Sequence, residues 1–345
     1  MHKKYTASLA AKDTIFTISE RTGYSVSTVS RVLSGKAARY RISQTAVKII
    51  TEEVERCNYR PNMVAQALRT QKTQTIGLLI PGIDNPFFAM LSGIVISMLG
   101  AHGYHTLLAD SCESEAEEKE TLRMFQSRNV DGIICVPSSE SPALHEEVSL
   151  RTPMVLLDRY FRETSLSYVC TDNYAGARMA TEFLLSKGYR RILAIQGVPG
   201  SMPNQERVRG FQEAVTAANA SCSVVGDAFS VENGLRETMK ALGAGESDYD
   251  AIFAFSSTIL LGAIEALRKL KLRPGTDLGV ISFDNNGFLD FLDPAVTRVE
   301  QPLREAATEA VETLFSIMEA RSQNLPDPEP LHLLIKPTLV VRESC

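Results

Sequence analysis

The chain has 345 residues, of which 44% are apolar or aromatic and 22% charged, with 21 glycines and 15 prolines. These proportions exclude a mainly disordered or collagen-like chain, and the length suits about two domains with a sizeable buried core. Net charge is −5, but residues 1–72 hold 13 Lys and Arg against 5 Asp and Glu, a balance of +8, whereas the remaining residues hold 23 against 36, a balance of −13. A basic head on an acidic body is the electrostatic layout of a nucleic-acid-binding module carried by another domain.

No apolar run reaches the roughly 18–20 residues of a membrane span, so no membrane partner is expected. Met1 to Asp13 lacks the apolar segment of a secretory signal, and the six cysteines (57, 112, 135, 170, 222 and 345) are scattered without a CxxC pair. Both features point to a reduced cytoplasm, with neither a disulfide framework nor a metal site, and no cofactor is expected.

In the head, residues 15–22 read as a short helix broken by Gly23. Ser25 is a good N-cap for a second helix over 26–33, with Val29, Val32 and Leu33 facing inward. Two short helices joined by a glycine-containing turn predict a helix-turn-helix. Ser43 can cap a third helix with Val47, Ile50 and Val54 on one face. Tyr59-Arg60-Pro61-Asn62 ends it, because proline disfavours helix at the residue before it. If the second helix enters a major groove, Val26 and Ser27 stand at its leading end and Arg31 lies one turn along the same face. Arginine pairs bidentately with guanine O6 and N7, and Val26 suits a thymine methyl. On local pattern alone, a core Val26 with a solvent-facing Arg31 fits equally well.

The run Ser25-Val26-Ser27-Thr28-Val29-Ser30-Arg31-Val32-Leu33-Ser34-Gly35, followed by Tyr59-Arg60-Pro61-Asn62-Met63-Val64-Ala65-Gln66-Ala67-Leu68-Arg69, closely resembles the head of the LacI/GalR family of bacterial transcription regulators. The resemblance continues in order through Thr75-Ile76-Gly77-Leu78-Leu79-Ile80-Pro81, Asn85-Pro86-Phe87-Phe88, Val130-Asp131-Gly132-Ile133-Ile134, Leu157-Asp158-Arg159, Glu206-Arg207-Val208-Arg209-Gly210-Phe211 and Leu339-Val340-Val341-Arg342-Glu343-Ser344. It implies that Val26, Ser27 and Arg31 read bases, with Ser25, Thr28 and Ser30 beside them on the DNA-facing side. It also implies that Asn62 to Arg69 is a hinge helix ordered on operator DNA in the minor groove. Leu68 matches the wedge at the central base step, and Ala65 the small residue that lets paired hinge helices approach. The physics agrees, since an apolar wedge trades unstacking for a kink that brings more protein onto the duplex, and so short a helix depends on its surroundings for order.

Departures are visible. Ser19, Thr22 and Tyr24 replace the family's usual Ala, Ala and Val, and the hydroxyls at 19 and 22 predict less tight helix packing. The loop from Gly35 to Ser43 is longer than in many members and resembles the fructose- and sucrose-repressor branch. Arg39 and Arg41 in that loop suit phosphate contacts, which position a protein without reading sequence.

From residue 74, short apolar runs alternate with amphipathic stretches: 76–80, 87–101, 106–109, 115–128, 132–136, 142–149, 154–157, then 174–187, 192–196, 204–219, 224–228, 232–243, 251–255, 258–270 and 278–283. This alternation predicts parallel sheets of βα units in two similar subdomains. It resembles the periplasmic-binding-protein-like core that the family carries. The expected fold is therefore an all-α helix-turn-helix head on an α/β core of two doubly wound parallel-sheet subdomains. The head spans 1–60 (ordered from 14), a hinge and linker 61–73, and the core 74–345. The first subdomain is expected over about 74–171 plus 303–328, the second over about 172–301 plus 331–345.

In such sheets ligands bind beyond the carboxyl ends of strands, here in the cleft between lobes. Asp158-Arg159, Ser256-Ser257-Thr258 and Asp284-Asn285-Asn286 each follow an apolar run, and Phe229 lies just past another. Carboxylates accept paired sugar hydroxyls, arginine donates to hydroxyl or phosphate oxygens, and aromatic faces pack a sugar's C–H surface. The resemblance places Phe88, Asp158, Arg207, Phe229 and Asp284 at effector contacts, and Phe87, Arg159 and Ser256 complete the expected set. On the residues alone, an Asp158–Arg207 ion pair and core phenylalanines are the alternatives. Ser256-Ser257 in place of the family's Asn-Asp, and the run from Asn285 to Leu292, again resemble the fructose-repressor branch. Hydroxyls at 256–258 with Arg159 and Arg207 would hold a phosphate, so a fructose-type sugar or sugar phosphate is the expected effector.

The resulting expectation is a repressor, binding a pseudo-palindromic double-stranded operator as a homodimer and controlled by a small effector. One head has too small a footprint for typical operator affinity, hence the dimer. No leucine heptads follow the last strand, so no tail-built tetramer is expected. A sugar-binding receptor or transport component without DNA function is the alternative, against which the basic head counts. An enzyme is not expected: His145-Glu146-Glu147-Val148-Ser149 lacks the second histidine of HExxH, and neither GxSxG nor a P-loop is present.

Overall fold

A computed structural model describes residues 13–59, 72–243 and 248–345. The chain divides after Thr73 into two units. In the first, α1 (Ile15–Thr22), α2 (Val26–Leu33) and α3 (Gln44–Arg56) enclose a small core of Ile18, Val29 and Ile50. Val32, Leu33, Val54 and Tyr24 pack around it. Local chemistry sets the ends. Thr14 and Thr17 cap α1 reciprocally, Gly23 takes the left-handed conformation that ends it, and Ser25 and Ser43 accept the Thr28 and Ala46 amides at the starts of α2 and α3. The two unusual hydroxyls of α1 do not disturb this core. Ser19 Oγ donates to the Tyr24 carbonyl at 2.6 Å and Thr22 Oγ1 to the Ile18 carbonyl at 2.7 Å.

The second unit has two lobes. The first is built on β1 (Thr75–Ile80), α4 (Pro86–Ala101), β2 (His105–Asp110), α5 (Glu115–Ser127), β3 (Gly132–Cys135), α6 (Ala143–Ser149), β4 (Met154–Leu157) and β5 (Ser167–Thr171). The second follows with α7 (Asn173–Ser186), β6 (Arg191–Ile195), α8 (Met202–Ala217), β7 (Ser221–Val225), α9 (Val231–Leu242), β8 (Ala251–Ala254), α10 (Ser257–Leu270), β9 (Gly279–Phe283) and β10 (Thr297–Glu300). The chain then returns through α11 (Leu303–Ser322) to the first lobe, adds β11 (His332–Ile335) there, and crosses again to β12 (Thr338–Val340).

Each sheet has six strands, in the orders β11-β5-β4-β3-β1-β2 and β12-β10-β9-β8-β6-β7. All pairings are parallel except the antiparallel edge of β10 with β12. Central strands such as β4 and β9 are buried throughout, because helices cover both faces. In the first lobe, α4 and α11 pack one face and α5 with α6 the other. In the second, α7 with α8 and α9 with α10 do the same. The structure corrects one expected boundary: residues 332–335 lie in the first sheet, beside β5, and only the segment after them joins the second. A four-residue strand followed by Lys336-Pro337 is long enough to pair before the chain crosses over.

Candidate functional site

On the head, the residues expected to face DNA fall into three groups. Ser27, Arg31, Arg39 and Arg41 are exposed, while Val26, Thr28 and Ser30 are half-buried. Ser25 is exposed, but its hydroxyl is committed to the helix cap and also meets the Ser27 and Thr28 hydroxyls. The Arg31 guanidinium lies 4.0 Å from the centroid of the Tyr40 ring, so the loop after α2 holds the arginine in place. Tyr40 carried no signal beyond its place in that loop. Asn62, Ala65 and Leu68 lie outside the described residues.

In the second unit, all eight residues expected to meet an effector line one cleft between the lobes. The first lobe contributes Phe87 and Phe88 from the first turn of α4, and Asp158 and Arg159 from the end of β4. The second contributes Arg207 from α8, Phe229 beyond β7, Ser256 at the cap of α10 and Asp284 beyond β9. The strand before Phe229 is displaced from the expected 224–228 to Ser221–Val225. Phe229 instead lies against Gly197, where any Cβ would collide with its ring. The two chain reversals that aim carboxylates inward, at Asp158 and Asp284, use left-handed backbone with φ of 66° and 78°.

Asn85, Pro203 and Gln301 also line the cleft and were not singled out from the sequence as ligands. Asn85 is the N-cap of α4, accepting the Phe87 amide at 3.0 Å, and the Asn-Pro pair was its readable signal. Gln301 lies in the crossover from β10 to α11, where no periodicity marks it. Its Nε2 donates to Asp284 Oδ1 at 2.7 Å, while its buried Oε1 has no partner among the described residues.

The charged groups are held from behind. Arg207 donates through Nε to Asn173 Oδ1 at 2.8 Å and through Nη1 to the Phe255 carbonyl, and its guanidinium lies 3.9 Å from the Phe283 ring centroid. No ion pair joins it to Asp158 among the described residues. Burial pulls the Arg207 group below its ordinary pKa, against the pull of Asp284 and Asp158. Burial also drives the Asp158 carboxyl up to about 6, opposed by Arg159 and Arg207 and reinforced by Asp284 and Glu113. Asp284 Oδ2 accepts from the Ser257 amide and hydroxyl at 3.0 and 3.2 Å.

Three of the groups expected to hold a phosphate, Arg159, Ser256 and Ser257, have protein partners. Arg159 gives two parallel hydrogen bonds, 2.7 and 2.6 Å, to the Glu113 carboxylate, and a weaker one to the Pro137 carbonyl. Burial opposes the Arg159 charge, yet Glu113 together with Asp158 and Glu118 more than offsets that and holds its pKa above the ordinary value. Ser256 Oγ accepts the Ile259 amide at 3.1 Å, and Ser257 serves Asp284.

A buried cluster of Glu118, Cys135 and His145 brings three ligand-type atoms within 4.8 Å of one another, away from this cleft's lining. Glu118 there accepts the Ser138 and Ser139 amides at 2.7 and 2.9 Å, and His145 Nε2 lies against its other oxygen. Burial pushes the Cys135 thiol well above its ordinary pKa. With its carboxylate committed and its thiol protonated, the group pins the loop that follows β3.

A periplasmic binding protein-like domain family matches residues 181–345. A ribose operon repressor from Halalkalibacterium halodurans is 34% identical over 331 residues, which span 96% of this chain and 96% of that protein. The structure of a periplasmic binding protein/LacI transcriptional regulator from Alkaliphilus metalliredigens in complex with D-xylulofuranose is 26% identical, with a TM-score of 0.68 over 79% of this chain and 98% of that one. The lac repressor dimer bound to operator and an anti-inducer shares the fold, with a TM-score of 0.85 over 97% of this chain and 99% of that one at 22% identity. Among the described residues no helix is long and apolar enough to cross a membrane. With likeness running through head and core alike, the chain belongs to the LacI/GalR family of helix-turn-helix transcriptional repressors and is a regulator, not an enzyme.

Proposed function

We propose that the effector of this repressor is a neutral monosaccharide, bound between the lobes, that changes affinity for a pseudo-palindromic operator. The observation that carries this reading is the lining of the cleft. Two carboxylates, Asp158 and Asp284, and two buried guanidiniums, Arg207 and the Glu113-paired Arg159, line it together with the aromatic rings of Phe88 and Phe229. Carboxylates accept from vicinal hydroxyls, the Arg207 guanidinium donates to ring or hydroxyl oxygens, and the rings cover C–H faces. The ribose operon of the H. halodurans relative and the xylulofuranose of the A. metalliredigens complex favour a pentose or ketose. A fructose-type sugar shares that furanose chemistry and belongs in the same test.

On the head, Val26, Ser27 and Arg31 would meet base edges, with Ser25, Thr28, Ser30, Arg39 and Arg41 at the backbone. Asn62, Ala65 and Leu68 would form the hinge that enters the minor groove between two half-sites of a homodimer. A sugar shifts such a system only by binding one lobe arrangement better than another, so induction requires tighter binding to the form that releases DNA.

Thermal unfolding with ribose, xylulose, fructose, their phosphates and purines tests the effector class. A ligand at 100 times its Kd adds about 2.7 kcal/mol to the state that binds it. A rise in Tm with a neutral pentose or ketose, followed by a change in operator affinity with the same sugar, is the expected result. A response confined to phosphates or purines would overturn the neutral-sugar reading.

A further inference from the structure

We infer that Glu113, which lies outside the cleft's lining, sets the charge class of ligand that the cleft accepts, by occupying Arg159 and so excluding phosphorylated and other anionic sugars. This rests on the reading of the cleft as a sugar site. Arg159 is the cleft's second cation, its side chain is 6% exposed, and its ring neighbour Phe88 lies 5.5 Å from its Cζ. Left free, it would present two parallel donors to a phosphate, the geometry in which arginine binds such oxygens best. Glu113 takes both of those donors.

The Glu113 side chain is placed there by its backbone. Cys112 and Glu113 are consecutive residues in the left-handed region, with φ of 50° and 54°. The Cys112 amide donates to Asp110 Oδ1 at 2.7 Å, the Glu113 amide to the Pro81 carbonyl at 3.0 Å, and Asp110 Oδ2 accepts from Ile83 at 2.7 Å. This turn beyond β2 is costly for non-glycine residues, and it delivers a carboxylate to the Arg159 guanidinium. With Glu113 present, Asp158, Asp284 and Glu113 outnumber Arg159 and Arg207. A dianion entering meets net repulsion and a pre-occupied guanidinium, whereas a neutral sugar meets acceptors. Like-charge juxtaposition of this kind is how a site rejects one ligand class while keeping another.

The test uses inorganic phosphate as probe on the full chain, with Tm as readout, beside ribose, xylulose and fructose. Glu113 is partly exposed, so Glu113→Gln and Glu113→Ala remove the carboxylate without emptying a core. Glu113→Gln is expected to gain a phosphate-dependent rise of roughly 2–4 °C that the parent chain lacks. Glu115→Gln, which removes the same charge two residues on, is expected to gain none. The gain is expected to disappear in Glu113→Gln/Arg159→Met. No gain in either Glu113 variant overturns the inference, as does a gain that survives loss of Arg159. If phosphate behaves as expected while neither ribose, xylulose nor fructose shifts the parent chain, the gating role of Glu113 stands and the sugar reading falls. Where a sugar does bind, its affinity relative to its phosphate should drop about tenfold in Glu113→Gln.

Discussion

Asp158 carries a thermodynamic cost that the cleft puts to use. Its carboxyl titrates near 6 when folded against 3.8 ordinarily, chiefly through burial. The folded state therefore binds more protons than the unfolded one between those values, and stability falls as pH rises from about 4 to 6. At 1.36 kcal/mol per unit, the ionised group costs the free protein on the order of 2–3 kcal/mol at pH 7. Asp158→Asn is expected to raise Tm at pH 7, flatten the profile between pH 4 and 6, and abolish sugar binding. A Tm–pH profile parallel to that of the parent chain would show that burial of Asp158 is relieved in some other way. Since the charged form is the acceptor for ligand hydroxyls, sugar affinity in the parent chain should fall as pH drops below about 6, measured by calorimetric titration at pH 5 and pH 7. Residues of this type were legible because they follow apolar runs in an α/β chain. Glu113 was not, because its role depends on a left-handed turn that no local pattern announces. Tyr40 was missed for a related reason, as its partner is nine residues away on α2.

At the scale of elements, the head shows why short helices can be read so closely. Ser25, Gly23 and Ser43 fix the ends by side-chain and backbone chemistry, so α1 and α2 fall where the caps put them. Ser25→Ala should lower the head's stability by about 1 kcal/mol. Ser25→Asp should keep the cap, and with it the melting behaviour, while weakening DNA binding through repulsion of phosphates. Circular dichroism melts beside gel-shift titrations separate the two effects. The central strands were legible as apolar runs, but β5, β10, β11 and β12 were not separately predicted. Ser167–Thr171 mixes polar and apolar residues, and β11 and β12 are edge strands with exposed positions. Strand order and the final return to the first lobe depend on long-range pairing, which periodicity does not encode. Helix contact adds another hidden requirement: Gly262 of α10 faces the Val231 carbonyl at the start of α9 so closely that a Cβ would collide with it. Gly262→Ala should cost roughly 1–3 kcal/mol, read from denaturant midpoints, with the lost stability confined to the second lobe in hydrogen exchange.

Across the whole second unit, the segments that join the lobes also hold Arg207 and Asp284 of the cleft. Asn173, at the first crossover, orients Arg207, and Gln301, at the second, donates to Asp284. A sugar that engages Arg207 and Asp284 therefore acts on side chains attached to the hinges themselves, which gives occupancy a mechanical route to lobe closure. Gln301→Ala should leave the fold intact, weaken sugar binding about tenfold and shrink the sugar-dependent change in operator Kd. An unchanged ratio of operator Kd with and without sugar would remove Gln301 from that route. The return of β11 to the first sheet has a consequence for biosynthesis. Some 160 residues separate Thr171 from His332, a stretch that a ribosome at 5–20 residues per second takes roughly 8–32 s to translate. Throughout that time the nascent first lobe has an open edge at β5, and until residues 303–322 are made it also lacks α11 on one face, so it emerges with sticky surfaces. Demand for chaperones should therefore peak before residues 303–335 have emerged, and slow codons placed between the two lobes would lengthen the exposure rather than help the first lobe to finish.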